Sequence, residues 1–134
     1  MSPSCRPFDD PTAVREPLLA SEDFGRGHYD RALERSERFV MRAPCEAWSW
    51  RFKAECLLSL GRAAEAAACF DRALTYGGPG TEDTALWMAI AQHRAGDTAA
   101  AGATLRAFLA SDPEASLADR ARATLAELGL AAAA

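Results

Sequence analysis

The chain repeats a pattern of glycine and alanine with a period of 34 to 35 residues, and this period strongly restricts its fold. Gly27, Gly61 and Gly96 stand 34 and 35 residues apart, and each is followed five residues later by an alanine. The one-residue difference falls in a glycine-rich loop at 77–80, where an insertion costs little conformational entropy. Periods of this length are typical of stacked units of two helices, because a single unit cannot bury its own apolar face.

Within the units, apolar residues recur at the spacing of a helix. In the first unit, Tyr29, Leu33 and Val40 follow positions i, i+4 and i+11, so they share one helix face. In the second unit, Trp50 and Leu57 lie on a similar stripe, which ends at a repeat glycine. Glycine readily adopts the left-handed conformation that ends a helix and turns the chain. Each unit is therefore predicted to be two helices joined by a tight turn.

The second unit resembles a tetratricopeptide repeat (TPR), a helix–turn–helix with the pattern W-x2-L-G-x2-Y…A-x3-F…P. The matching residues are Trp50, Ala54, Leu57, Ala66 and Phe70. Lys53 replaces the Leu of the pattern, and the third unit has Ala85 for the Trp and Gln92 for the Tyr. The resemblance implies an all-α fold: a right-handed superhelical stack of antiparallel helix hairpins, about three TPR-like units, with a C-terminal capping helix.

The resemblance covers residues 17–113 and divides the chain into three parts. Residues 1–16 contain three prolines and are predicted to be a flexible N-terminal arm, or alternatively to fold over the groove of their own chain. Residues 17–113 are predicted to form the three hairpins, the first with a short or irregular start because of Pro17 and the polar segment 21–23. Residues 114–134 are predicted to form the capping helix and a frayed tail. The apolar face of that helix carries Leu117, Ala121, Leu125 and Leu128.

Composition argues against several classes of partner. The net charge of -4 is unusual for a nucleic-acid-binding surface, which is normally basic. No apolar run is long enough to cross a bilayer, and residues 1–15 lack the apolar core of a secretory signal. The four cysteines form no CxxC pair and no zinc-binding spacing. The expectation is a cytoplasmic protein with reduced thiols, in which Cys56 and Cys69 pack as small core residues.

In proteins similar to this one, the first helix of each hairpin lines a concave groove that binds a peptide. The resemblance implies these groove residues: Trp48, Arg51, Phe52, Glu55, Leu58, Leu86, Trp87, Ile90, His93 and Arg94. Arg120 and Thr124 are expected to border the groove from the last helix. Some family members hold C-terminal carboxylates with a Lys/Asn clamp, but Glu55 and Ile90 stand where this clamp needs amide side chains. That ligand is therefore not expected.

Two interpretations of the groove residues stay open. Phe52 and Trp87 are either partner contacts or core residues. Arg51 and Arg94 either solvate the surface or hold carboxylates of a partner, and aromatic and arginine side chains are common anchors of protein interfaces.

The sequence carries no signature of catalysis. His28 and His93 lie in different units, and no hydrolase, phosphate-loop or metalloprotease motif is present. We expect a non-enzymatic scaffold or adaptor that needs no cofactor or metal and binds a peptide or another protein segment in its groove. An alternative is a structural subunit of a homo-oligomer or larger assembly that has no free peptide groove.

Overall fold

A computed structural model describes residues 15–78 and 81–130, and these form seven α-helices without a strand. The helices are α1 (Arg15–Gly25), α2 (Tyr29–Arg42), α3 (Ala47–Ser59), α4 (Ala63–Tyr76), α5 (Thr84–Arg94), α6 (Thr98–Ala110) and α7 (Ala115–Glu127). The prediction of an all-α fold is confirmed. The predicted arm up to residue 14 and the tail 131–134 lie outside the described residues.

Four of the turns between or after helices share one geometry. Gly27, Gly61, Gly96 and Gly129 have φ values of 79°, 79°, 90° and 73°. In each turn, the residue after the glycine donates its amide N–H to the carbonyl five residues before it, at 2.8–2.9 Å. This hydrogen bond closes the left-handed end of a helix. The repeat glycines therefore occupy equivalent bends, and Gly129 adds a fourth that the sequence comparison did not include.

The extensive helix contacts join helices that are consecutive in the chain, from α1·α2 to α6·α7. The central core combines alanines with a few large side chains, and Phe70 of α4 is fully buried within it. Ala54 and Ala66 are also fully buried, so small side chains lie where close packing of α3 and α4 requires them. A second cluster joins α5, α6 and α7 through Leu86, Leu105 and Leu125.

Helix α1 is regular but, together with α5, the shortest of the described helices, so of the two alternatives expected for the first helix the short one fits. It runs for 11 residues and contains Pro17 in its first turn, where a proline is tolerated. Two of its three acidic residues are held by α2: Arg35 Nε donates to Asp23 Oδ2 at 2.9 Å, and Arg38 Nη1 donates to Glu16 Oε1 at 2.9 Å. These ion pairs supplement the packing of Ala20 and Phe24 in attaching α1 to the rest of the stack.

Helix α7 packs on α6. Ala121 and Leu125 are buried, and Leu117 is partly buried against the same cluster. Leu130, just after the last turn, lies over Gly102 of α6, where a Cβ would be only 2.7 Å from Leu130 Cδ1. The lack of a side chain at Gly102 makes room for this contact.

The cysteines divide into two kinds. Cys56 and Cys69 are buried free thiols in the central core, as predicted. Cys45 is disulfide-bonded, so the expectation of reduced thiols is wrong for this residue. None of the helices in the described ranges combines the length and apolar character needed to span a membrane.

Candidate functional site

The first of two cavities in the candidate site is lined by residues of α1, α3 and α5. We call it the Glu55–Arg94 pocket; its volume is about 340 Å³. Its lining residues are Phe24, Glu55, Leu58, Ser59, Trp87 and Arg94. The walls are mainly aromatic and aliphatic, while one carboxylate and one guanidinium supply opposite charges. This combination of an apolar body with a few polar groups is typical of a binding pocket.

A second cavity of about 210 Å³, the Trp48–Phe52 pocket, lies beside the first. It is lined by Pro17, Ser21, Phe39, Trp48, Arg51, Phe52 and Glu55. Glu55 belongs to both linings, so the two pockets meet at its side chain. Both pockets lie along α3, and together we call them the recess.

A chain of aromatic rings runs from one pocket to the other. The ring centroids of Phe24 and Phe52 are 5.9 Å apart, those of Phe52 and Phe39 are 5.7 Å apart, and those of Phe39 and Trp48 are 5.3 Å apart. Rings at these tilted spacings attract one another beyond the effect of burial alone. Phe39 is almost fully buried, whereas Trp48 is exposed, so the chain anchors a surface ring to the core.

Arg51 is committed to an internal ion pair. Its Nη1 donates to Asp83 Oδ1 at 2.6 Å, and Trp87 Nε1 donates to Asp83 Oδ2 at 3.3 Å. Burial alone would raise the pKa of the Asp83 carboxyl, but the hydrogen bond and positive charge of Arg51 outweigh it and lower the pKa. Burial would lower the pKa of Arg51, yet Asp83 and Glu55 raise it. Arg51 is thus already paired within the chain, and a role in holding a carboxylate of a partner stays a prediction.

Glu55 is less completely paired. Its side chain is 38% exposed, and Arg51 Nε donates to Glu55 Oε1 at 3.5 Å, the outer limit of a hydrogen bond. Burial raises the pKa of the Glu55 carboxyl, the positive charge of Arg51 lowers it, and the negative charge of Asp83 adds to the increase. The carboxylate therefore lies in a setting that disfavours its charge and leaves most of its acceptor sites unused.

Arg94 is the other charged group of the site. It is the last residue of α5, and its side chain is exposed at the Glu55–Arg94 pocket. Within residues 15–78 and 81–130, its guanidinium has no hydrogen bond or ion pair. Arg94 is thus the predicted arginine that a carboxylate outside the chain can reach.

Three other predicted groove residues line neither pocket. Leu86 is only 2% exposed and packs against Leu105, so its prediction as a partner contact is wrong. The covering helix α7 buries it, since Ala121 and Leu125 belong to the same cluster. Half-buried Ile90 and exposed His93 line neither pocket. The Nδ1 atom of His93 lies 3.0 Å from Thr98 Oγ1, across the turn between α5 and α6.

The two residues expected at the border of the groove lie elsewhere. Arg120 lines a separate polar cavity of about 370 Å³ with Glu82, Asp83 and Glu114. The hydroxyl of Thr124 donates to the backbone carbonyl of Arg120 at 2.8 Å and so stays within its own helix. Neither residue lines the Glu55–Arg94 or the Trp48–Phe52 pocket.

Sequence reasoning missed the contribution of the first unit to the site. Phe24 precedes Gly27 by the same three residues by which Leu58 precedes Gly61, so the repeat register places both residues at equivalent positions. Carrying the prediction of Leu58 back by one period would have found Phe24. Phe52 and Trp87 line the pockets and are half-buried. Each therefore packs against the core with one part of its ring and faces a pocket with another.

The described residues contain no group of three His, Cys, Asp or Glu side chains placed to hold a metal ion. No family model matches the chain, and no match is found among curated proteins.

Proposed function

We propose that this protein is a TPR-like adaptor that binds a segment of another protein along the recess formed by α1, α3 and α5. In this proposal the hairpins stack into a right-handed superhelix, and the first helices of the hairpins line its concave side. The observation that carries the proposal is the pair of adjoining pockets that share Glu55 and are walled by linked aromatic rings. The role is binding rather than catalysis.

The spacing of the turns supports the family resemblance. The bends at Gly27, Gly61, Gly96 and Gly129 recur every 33 to 35 residues with the same backbone hydrogen bond. The odd-numbered helices all precede such a bend, and three of them, α1, α3 and α5, supply the lining of the Glu55–Arg94 pocket. A repeated unit that presents one helix of each pair to a common surface is the arrangement expected of a groove-forming stack.

The pockets are suited to side chains of a partner rather than to a flat contact. Aromatic residues and arginine are the residues that most often dominate binding energy, especially in recessed positions. Two such pockets support an affinity near micromolar, which corresponds to about -8 kcal/mol.

The test begins with a phage-displayed library of random linear peptides, selected on the immobilised full chain. The enriched peptides are synthesised, and their dissociation constants are measured by fluorescence anisotropy on wild type, Trp48→Ala and Tyr76→Ala. Trp48 borders the recess, whereas Tyr76 is a similarly exposed aromatic residue at the end of α4 that borders neither pocket. We expect Trp48→Ala to weaken binding about tenfold or more, and Tyr76→Ala to leave it unchanged.

Two outcomes contradict the proposal. Selection that enriches no peptide on the folded protein would argue for a structural subunit whose surfaces are covered by a second copy, and light scattering would then reveal the oligomer. Peptides that bind Trp48→Ala as tightly as wild type would place the binding surface outside the recess.

A further inference from the structure

The position of Glu55 between the two pockets has a consequence for the chemistry of the bound segment. Glu55 lines both pockets, whereas Arg94 lines only one of them. Arg51 lines the Trp48–Phe52 pocket, but its guanidinium is paired with Asp83. A ligand that fills both pockets therefore passes a carboxylate in the middle and meets a guanidinium without a described intramolecular pair in the Glu55–Arg94 pocket. The charged groups of the site therefore follow a defined order along the recess.

Glu55 is free to accept a new donor because Arg51 does not depend on it. The guanidinium of Arg51 has its short contact with Asp83 at 2.6 Å and a further contact with Thr84 Oγ1 at 3.4 Å, while Glu55 lies at 3.5 Å. An ionised carboxylate can accept about four hydrogen bonds, so a second cation fits beside the existing contact. Such a cation would also offset the cost of keeping this charge in a partly buried, apolar setting.

The apolar walls lie on both sides of this carboxylate. Phe39, Trp48 and Phe52 wall one pocket, and Phe24, Leu58 and Trp87 wall the other. With volumes of about 340 Å³ and 210 Å³, each pocket accommodates an apolar side chain of a partner.

We propose that the recess recognises a segment of another protein in which a Lys or Arg lies between two apolar residues, with an Asp or Glu next to one of them. The basic residue pairs with Glu55, and the apolar side chains enter the two pockets. The acidic residue lies by the apolar side chain in the Glu55–Arg94 pocket, where it pairs with Arg94. This inference rests on the proposed function and adds the sequence pattern of the partner.

The experiment repeats the library selection on wild type, Glu55→Gln, Arg94→Glu and Arg122→Glu. Glu55→Gln removes the charge while keeping the shape of the side chain. Arg122→Glu is the control, because it changes the net charge as Arg94→Glu does but lies on α7, in an exposed pair with Asp119. Circular dichroism checks that each variant keeps the helical content of the wild type.

We expect wild type and Arg122→Glu to enrich the same pattern of apolar, basic, apolar and acidic residues. Arg94→Glu should select peptides in which the acidic residue is replaced by Lys or Arg. For a peptide selected on wild type, replacing its basic residue by norleucine should weaken binding about tenfold to wild type and leave binding to Glu55→Gln nearly unchanged.

The outcomes separate this inference from the proposed function. Enriched peptides that lack the charge pattern, or that bind Glu55→Gln and Arg94→Glu as tightly as wild type, would overturn the inference and leave a purely apolar peptide groove. Failure to enrich any peptide on the folded wild type would overturn the proposed function and the inference together.

Discussion

Arg51 on α3 and Asp83, the residue before α5, are joined by an ion pair of 2.6 Å between Nη1 and Oδ1. The other oxygen of the same carboxylate accepts a hydrogen bond from Trp87 Nε1 at 3.3 Å. One carboxylate thus fixes the start of α5 to α3 and orients an aromatic wall of the Glu55–Arg94 pocket. The pair connects two consecutive repeat units at the surface where we propose that a partner binds.

Replacing Asp83 by alanine should lower the free energy of unfolding by about 1–3 kcal/mol, because the Arg51 side chain is only 19% exposed and would lose its main acceptor. Asp119→Ala is the matched control, since Asp119 is 79% exposed and pairs with Arg122 on one helix. Its effect should stay within about 0–1 kcal/mol. Urea unfolding at neutral pH measures both, and equal losses would show that the Arg51–Asp83 pair has no special role.

The stabilising effect of Asp83 should depend on pH in a defined direction. Its folded-state pKa is lowered from 3.8, so it contributes stability that is present above that value and lost as the pH falls through the folded pKa. The difference in unfolding free energy between wild type and Asp83→Ala should therefore shrink as the pH is lowered below 3.8. Urea titrations at a series of acidic pH values measure this difference, and a constant difference would contradict the assigned ion pair.

Phe70→Ala should be among the most destabilising single changes in the central core. The side chain is fully buried in the central cluster, and truncating a buried aromatic residue costs about 3–5 kcal/mol. Leu74→Ala on the same helix is the control, because Leu74 is exposed and should cost much less. Chemical denaturation of both variants gives the comparison, and a loss at Phe70 no larger than that at Leu74 would contradict the described packing.

Gly61→Ala should destabilise the protein through its backbone alone. Gly61 has a φ of 79°, yet a Cβ placed there would meet nothing within 4 Å, so the cost is that of the left-handed conformation, about 1–2 kcal/mol. Gly25 provides the control, because a Cβ there also meets nothing and its φ is not positive. Gly25→Ala should be neutral or slightly stabilising. Thermal unfolding of the two variants distinguishes these effects, and similar melting temperatures would argue against the turn geometry.

Cys56 should be unreactive in the folded protein. Burial raises the pKa of its thiol to about 12, with a smaller contribution from the charge of Glu55, so very little thiolate is present near pH 8. Iodoacetamide followed by mass spectrometry should leave Cys56 unlabelled in buffer and label it in urea. Labelling at the same rate in both conditions would show that the core opens readily around α3.

The parts of the fold that the sequence predicted are those where backbone geometry limits the choice of residue. Gly61 and Gly96 need positive φ, and Ala66 must be small for two helices to approach, so the residue type reports the structure directly. The regularity of helix α1 could not be predicted from its own residues, because Asp23 is stabilised by Arg35, which lies 12 residues away in the chain.

The site was only partly predictable for the same reason. The repeat register gives Arg51 and Leu86 equivalent positions, 35 residues apart, but their surroundings differ. Arg51 finds an acceptor in Asp83, whereas Leu86 is covered by Leu125 of α7. Equivalence in the repeat identifies which face a residue occupies, but the neighbouring helix decides whether a partner can reach it.

The packing of each helix mainly against its neighbours in the chain also bears on how fast the protein acquires its structure. Contacts between consecutive helices require only short loops to close, and chains with such local contacts fold rapidly, on the microsecond to millisecond scale. A middle helix such as α4 has a neighbour on each side, whereas α1 has its main contact only with α2. Opening of the native state should therefore begin at the ends of the stack and reach α3 and α4 last.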